Sequence, residues 1–525
     1  MTTEIPARAD VVIIGAGHNG LVSAILLARA GLSVVVLEAA DVIGGATRTE
    51  YPFAKVPELG QSTGSYLLGL MPPELLRTLD LTIPVLRRDP HYFLPTPDGP
   101  YLLFGSDREA TRAQMERFFS AQDVAADDAM QAELAALRSD VGPTWLAEPL
   151  PVEETAERHV RPSLRQAFID LVRGSVADYL ARFEFRSELL LSMYAVTDGL
   201  SGVNAGPDDA GTGHNFLVHN MCRLPGSDGT WMIAAGGMGT VSRTFADAAR
   251  RAGAVIVPGA PVSAVLLDSG AVSGVRTSDG REVAASVVLG ACDPYRLMSL
   301  VDLPPDLVAR LESVRRTGTT LKVNLALAGL PRFSCLPADA PSPFGSTVHL
   351  LPGSSSSGSS SGSGAMAQLR DMWTEVQAGR LPAEPTIEWY VHTTVDPSLQ
   401  DPAGHHSSAL FVQSVPYGAD WDALLPSYVD DLLAICDRYA PGTSDLVVDT
   451  FPLTPPGIEA HFGITGGHIH HVDNTAAFTD RMPYATGVPG LYAGSAGCHP
   501  AGSVIGAAGH NAARRILADL GRPTG

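Results

Sequence analysis

The chain has 525 residues, too many for a single hydrophobic core, so at least two packed domains are expected. Hydrophobic residues make up 45% of it, enough for a globular interior, and a formal net charge of −20 argues against nucleic acid or an anionic membrane surface as a partner. Five scattered cysteines (Cys222, Cys292, Cys335, Cys436 and Cys498), with no C-x-x-C pair, fit reduced thiols and a cytoplasmic location. The start, Met1 to Pro6, lacks a basic region followed by an apolar core, so no signal peptide is expected. No apolar run reaches the roughly 18 residues that a membrane-crossing helix needs. A peripheral membrane contact through exposed apolar helices stays open.

The first element is the most informative. Val11-Val12-Ile13-Ile14 reads as a buried parallel strand, and Gly15-Ala16-Gly17-His18-Asn19-Gly20 follows it directly. Gly15 permits the tight turn, Gly17 lets the backbone approach a pyrophosphate, and Gly20 lets the next helix pack close to the sheet. That helix, Leu21 to Ala30, is apolar almost all round and ends at Gly31. Ser33 to Leu37 is the second strand, and Glu38 closes it where a carboxylate can accept hydrogen bonds from two ribose hydroxyls. Phosphates would lie over the helix N-terminus, with His18 and Asn19 beside them. An acid at position 38, rather than an arginine, indicates an unphosphorylated ribose, as in FAD or NAD.

The next glycines decide between those two. Gly44-Gly45-Ala46-Thr47-Arg48-Thr49 is a turn for which a plain NAD domain has no need, and Gly44, Gly45 and Thr47 can reach the second phosphate and the ribityl end of a longer cofactor. Near the C-terminus, Gly494-Ser495-Ala496-Gly497-Cys498-His499-Pro500-Ala501-Gly502-Ser503-Val504-Ile505-Gly506 opens a last helix running to Leu517. A glycine-dense helix N-terminus offers backbone N–H groups to an electron-rich ring edge, so Gly494, Ser495, Gly502, Val504 and Ile505 join the candidate FAD contacts.

The N-terminal GAGHNG…E…GGATRTE and the C-terminal GSAGCHPAGSVIGAAG together resemble the phytoene desaturase-like flavoproteins of the amine-oxidase superfamily. The likeness is nearest to the branch of pyridine nucleotide-disulphide oxidoreductase domain-containing protein 2. The supporting stretches are Gly236-Gly237-Met238-Gly239, Thr454-Pro455-Pro456, Phe462-Gly463 and Gly466-Gly467-His468-Ile469. The resemblance implies an α/β fold: a discontinuous Rossmann-like FAD-binding domain of glutathione-reductase type, plus a mixed-sheet substrate domain with a helical cap. It also implies that the loop Gly60 to Gly64, with Ser62 and Thr63, passes beside the flavin ring, that Val262 offers its backbone to the adenine, and that Gly290 to Asp293 returns close to the cofactor. The branch's label does not suit this chain, which has no cysteine before Cys222 and no second glycine fingerprint closed by an acid. Gly236 to Gly239 is read instead as a turn passing the flavin on re-entry to the cofactor domain.

On this reading 1–75, 229–300 and 482–525 form the FAD-binding domain, 76–228 a mostly helical cap and 301–481 the substrate domain. Within the second cofactor piece Thr240 to Gly253 is a helix. Val255 to Val257, Val262 to Leu267, Ala271 to Thr277 and Glu282 to Leu289 are strands, with a hairpin turn at Ser278-Asp279-Gly280. In the substrate domain Thr319 to Ala328, Thr386 to Thr394 and Ser408 to Val415 alternate as strands of a sheet facing a cavity. The Ser/Gly tract 353–364 reads as a flexible loop without chemistry.

His468, His470 and His471 lack metal-ligand spacing and are read as structural, so no metal is expected. His499 should sit at the ring end of the flavin and is the one catalytic candidate, against a plainer role as a helix cap or cofactor hydrogen bond. The function expected is transfer of hydride between flavin N5 and a carbon of a largely apolar substrate, with C–C desaturation as the family-level form and oxygen or a quinone as acceptor. Two alternatives stay open: a redox-neutral isomerase or a saturase, and a non-catalytic escort protein of the same architecture. Anaerobic flavin bleaching and the colour of the purified protein separate them.

Overall fold

The computed structural model describes residues 4–97, 99–227, 229–337, 340, 343–351 and 364–523. The Ser/Gly loop read at 353–364 lies outside the described residues except for Gly364, which stands at the N-cap of the helix Ala365–Gln377.

Val11–Ile14 is buried at every position because it is the central strand of a five-stranded sheet. The order is Leu491–Ala493, Val287–Gly290, Val11–Ile14, Val34–Leu37 and Val255–Val257, and every neighbouring pair is parallel. The Val/Ile/Leu runs suit this, since both faces of such a sheet are covered. The helix His18–Arg29 buries Leu21, Val22, Ala24, Ile25 and Leu27 completely and touches two further helices, Gly239–Arg251 and Ala507–Asp519. The crossing with the last helix is backbone against backbone. A Cβ at Gly509 would stand 2.0 Å from the Asn19 carbonyl oxygen, and Ser23 Oγ donates to Gly509 O at 2.7 Å. Chain segments near residues 11, 256, 288 and 492 thus build one sheet, the discontinuous α/β arrangement expected from the motifs.

A three-stranded antiparallel sheet, Val262–Asp268, Ala271–Thr277 and Glu282–Ala284, is inserted between two strands of this layer, with the hairpin turn read at Ser278 to Gly280 joining its last two strands. The run Glu282 to Leu289, read as one strand, is two: 282–284 pairs in the hairpin sheet, and 287–290 crosses into the parallel sheet.

The second layer is a seven-stranded mixed sheet in the order Val447–Leu453, Leu321–Leu327, His406–Val412, Ile387–Val391, Thr347–Leu350, Tyr92–Leu94 and Leu102–Phe104. Its second to fourth strands match the alternating segments of the sequence. Its last two come from the stretch read as mostly helical. Those three-residue strands are too short to carry a period of their own, and they form because Thr347 and Val348 pair with Tyr92 and Phe93. The helix Trp421–Tyr439 covers one face of the sheet, packing Tyr428, Leu432 and Cys436 onto Leu325, Trp389 and Leu410 in one core. The remaining helices between Arg108 and His219 form a block with a core of its own around Leu134, Phe168, Leu171 and Phe216. None of the described helices is long and apolar enough to cross a membrane.

Candidate active site

One continuous cavity of about 1350 Å³ runs from the carboxyl ends of the parallel strands to the large sheet and the helical block. Its position obeys the general rule for open α/β sheets, where ligands bind outside the strand carboxyl ends. Gly15, Gly17, His18, Asn19, Glu38, Gly44, Gly45, Thr47, Thr63, Val262 and Val504 all line it. Gly15 (φ +105°) and Gly44 (φ +116°) adopt backbone conformations closed to other residues, and Gly44 N–H donates to Ala16 O at 2.9 Å, locking the two turns together. Glu38 is fixed at both oxygens: Ala16 N–H donates to Oε2 at 2.7 Å and Ala40 N–H to Oε1 at 2.9 Å. Each oxygen keeps a second lone pair for a ligand hydroxyl.

Three observations fit an elongated anionic nucleotide. A Cβ at Gly17 would meet nothing within 4 Å, so the missing side chain opens onto the cavity. The N-cap of His18–Arg29 has no side-chain partner, which leaves its first N–H groups for a phosphate. His18 Nε2 and His471 Nδ1 are buried beside it without hydrogen-bond partners, and burial holds both imidazoles near pKa 4 and hence neutral. Of the stretch Gly290 to Asp293, Ala291, Cys292 and Asp293 line this end of the cavity.

Other expected residues stand behind the wall. Gly20 carries no side chain because a Cβ would lie 2.3 Å from Gly15 O. Ser62 is turned away, its Oγ accepting from Met238 N–H at 3.1 Å. Gly494 packs on Ala512, Ser495 Oγ accepts from Gly497 N–H at 3.1 Å, Gly502 is pressed against His470, and Ile505 belongs to the core of the helical block. The glycine-dense C-terminal loop spends its small residues mainly on packing, and it presents Ala496, Ser503 and Val504 to the cavity. The Gly236-Gly237 turn does not reach the cavity either; it closes on Thr49, whose Oγ1 donates to Gly236 O at 3.1 Å.

His499 requires a correction. It does not line the cavity; its side chain packs with its ring 5.4 Å from that of Phe478 and its Nε2 3.3 Å from Thr144 O. Burial holds its pKa near 3, so it is a neutral packing group. The loop is pulled there by Arg481, whose buried guanidinium donates to the carbonyls of Cys498, Ala496, Asp473, Val472, Ala476 and His470. Of the three histidines read as structural, His468 and His470 are bound into the same region, while His471 lines the cavity. His468 Nε2 stands 2.9 Å from Asp473 Oδ2, and His470 Nε2 lies 3.1 Å from Ser201 O.

The far wall holds the groups that a linear reading misses. Lys322 is buried, and its Nζ donates to Ser62 O and Gly64 O at 2.6 Å each while lying 4.5 Å above the ring of Tyr66. Burial pulls its pKa well below the usual lysine value. The rings of Tyr66 and Tyr390 meet at a tilt of 48° with centroids 4.3 Å apart, Tyr390 Oη donates to Glu388 Oε2, and Gln413 Nε2 donates to Glu388 Oε1. Burial raises the Glu388 carboxyl to about 7. Lys322, Tyr66, Tyr390 and Glu388 all face the cavity. The strand alternation carried a usable signal, because Glu388 and Tyr390 interrupt the apolar positions Ile387, Trp389 and Val391 at a spacing of two.

A discontinuous parallel sheet with a glycine turn, a fixed acid and an extended anion-fitting cavity defines an FAD-dependent oxidoreductase fold. Residues 20–367 match the family of flavin containing amine oxidoreductases, and the chain belongs to that family. It is 31% identical to mouse pyridine nucleotide-disulfide oxidoreductase domain-containing protein 2, over 97% of this chain and 94% of the relative. It is 26% identical to a hydroxyneurosporene desaturase of Cereibacter sphaeroides, over 97% of this chain and 98% of that one. The crystal structure of an oxidoreductase from Methanosarcina mazei superposes with a TM-score of 0.62 at 17% identity, covering 97% and 99% of the two chains.

Proposed function

We propose that this flavoprotein removes hydrogen from a carbon of an organic substrate held in the outer half of the cavity, desaturating a C–C bond, with oxygen or a quinone as the final acceptor. The observation that carries the reading is the continuity of the cavity from the Gly15–Gly20 turn to the Tyr66/Tyr390/Glu388 wall. Its volume of about 1350 Å³ exceeds the roughly 300–1000 Å³ of a pocket for one drug-sized ligand. In this proposal residues 1–75, 229–300 and 482–525 hold the cofactor. Gly17 and the helix N-terminus take the pyrophosphate, Glu38 the ribose, Thr47 and Thr63 the middle of the molecule, and Val262 the adenine. Bound FAD supplies a two-electron acceptor for the departing hydrogen. The chain's own part is to orient the substrate C–H, exclude water, and take up the accompanying proton. Tyr390 Oη and Glu388 Oε2 serve the last role, because a buried carboxyl near pKa 7 exchanges protons at neutral pH.

Anaerobic mixing of the yellow protein with candidate substrates tests this. Loss of the flavin absorbance in step with formation of a C=C bond is expected. Turnover without bleaching would replace desaturation by isomerisation, and a colourless protein that FAD does not stabilise would remove the enzymatic reading altogether.

A further inference from the structure

Buried cations in this molecule divide into two kinds. Arg481 is satisfied by six main-chain carbonyls, and Arg48, although its Nε has no hydrogen-bond partner among the described residues, has Glu50 at 3.8 Å, the ring of Phe462 and the carbonyl of His461. Arg88 differs. It is only 3% exposed, yet among the described residues its hydrogen bonds are two: Nε donates to Trp231 O at 2.9 Å and Nη1 to Thr347 Oγ1 at 2.8 Å. No carboxylate among the described residues comes within ion-pair distance, and its Nη2 has no partner there. Arg138, half-buried on the helix Ala121–Val141, is of the same kind, with Nε on Asn220 O at 2.6 Å and no ion pair among the described residues.

The two guanidinium groups flank one stretch of chain. Arg88 holds Trp231, and Arg138 Nη1 lies 3.4 Å from where a Cβ would stand on Gly229. Both line the outer half of the cavity, as do Gly229, Thr230 and Trp231. Glu388 acts on Arg88 and Asp198 on Arg138 through space, without an ion pair. Glu388 has both oxygens engaged by Tyr390 and Gln413, and Asp198 Oδ2 accepts from Asn220 Nδ2 at 3.1 Å; burial raises both carboxyls to about 7. Holding an unpaired guanidinium out of water is costly, and its planar fork of donors matches a carboxylate.

We propose that Arg88, assisted by Arg138, binds a carboxylate on the substrate, so the substrate is an organic acid whose body extends toward the Tyr66/Tyr390 wall. This rests on the reading of the outer cavity as the substrate site but does not require turnover. The test is calorimetric binding to the FAD-loaded protein, with benzoate, decanoate and glutarate as probes against their methyl esters. At least one acid should bind about tenfold or more tightly than its ester. Arg88→Met should abolish that preference while leaving the flavin content unchanged, since Arg88 lies outside the proposed cofactor half. Arg88→Lys, which keeps the charge but loses the planar fork, and Arg138→Met, which keeps Arg88, should each weaken the preference and provide a second measurement if Arg88→Met fails to fold. Equal affinity for acids and esters, absence of saturable acid binding, tighter binding of decylamine than decanoate, or an acid preference that survives in a folded Arg88 variant would each overturn the proposal. Failure of flavin bleaching with acid binding intact would overturn the desaturase reading instead.

Discussion

Replacing Gly17 by Ala should leave the apoprotein intact while stripping it of FAD, whereas Gly20→Ala should damage both. Gly17 has φ −69° and ψ 169°, a region open to any residue, and a Cβ there would meet nothing within 4 Å. Gly→Ala at such a position gains about 0.4–1 kcal/mol from the stiffer unfolded chain. The same methyl would occupy the space assigned to the pyrophosphate, where overpacking costs about 1–3 kcal/mol, or roughly a 5-fold to 150-fold loss of affinity. A Cβ at Gly20 instead would lie 2.3 Å from Gly15 O and 3.0 Å from the Ala291 Cβ. Non-bonded carbon contacts want about 3.5 Å, so the turn and the helix must part by about 1 Å, destabilising the protein by about 1–3 kcal/mol with or without flavin. Thermal melts of the deflavinated proteins and fluorescence titration of each with FAD separate the two effects. Wild-type FAD affinity in Gly17→Ala, or a wild-type apoprotein melt in Gly20→Ala, would refute the division of labour between these glycines.

Glu388 makes stability depend on pH in a defined direction. Its pKa rises from 4.5 to about 7 in the folded protein, chiefly by burial, so the folded state keeps a proton that the unfolded state releases. Stability therefore falls as pH rises from about 4.5 to 7, by about 3 kcal/mol in all. Glu388→Gln should melt higher than wild type above pH 7 and converge with it near pH 5; parallel curves between pH 5 and 9 would contradict this. Arg481→Met leaves six buried carbonyls without their donor, at about 1 kcal/mol or more each, enough to consume most of a typical domain's 5–15 kcal/mol. The variant should be recovered unfolded or insoluble, and a soluble protein with wild-type melting behaviour would show that the carbonyls find other partners. His499→Gln removes a neutral packing ring outside the cavity, so flavin reduction should stay within about twofold of wild type, with a stability loss of about 1 kcal/mol. A large rate loss in a folded, flavin-loaded variant would restore His499 to the chemistry.

What could be read from the chain alone was the part whose residues are contiguous. Val11 to Glu38 is strand, turn, helix, strand and acid in one run, and the positive φ of Gly15 and the approach of Gly20 to Gly15 O are both settled inside it. The alternating strands Leu321–Leu327, Ile387–Val391 and His406–Val412 were legible for the same reason, because a period of two is a local property. The C-terminal loop was recognisable by composition, but its direction was not. Whether His499 or Val504 meets the cavity depends on how Arg481 gathers the loop's carbonyls, and that is decided by packing.

The outer wall belongs wholly to tertiary structure. Tyr66, Arg88, Lys322, Glu388 and Tyr390 lie as far as 324 positions apart and meet only because the large sheet takes its strand order from non-local pairing, including the two short strands at 92–94 and 102–104. The physical reason is that a backbone motif carries its own geometry, whereas the charge of a side chain acquires meaning only from what surrounds it. A lysine, an arginine and a glutamate look solvated in a sequence, and only the folded chain shows them buried.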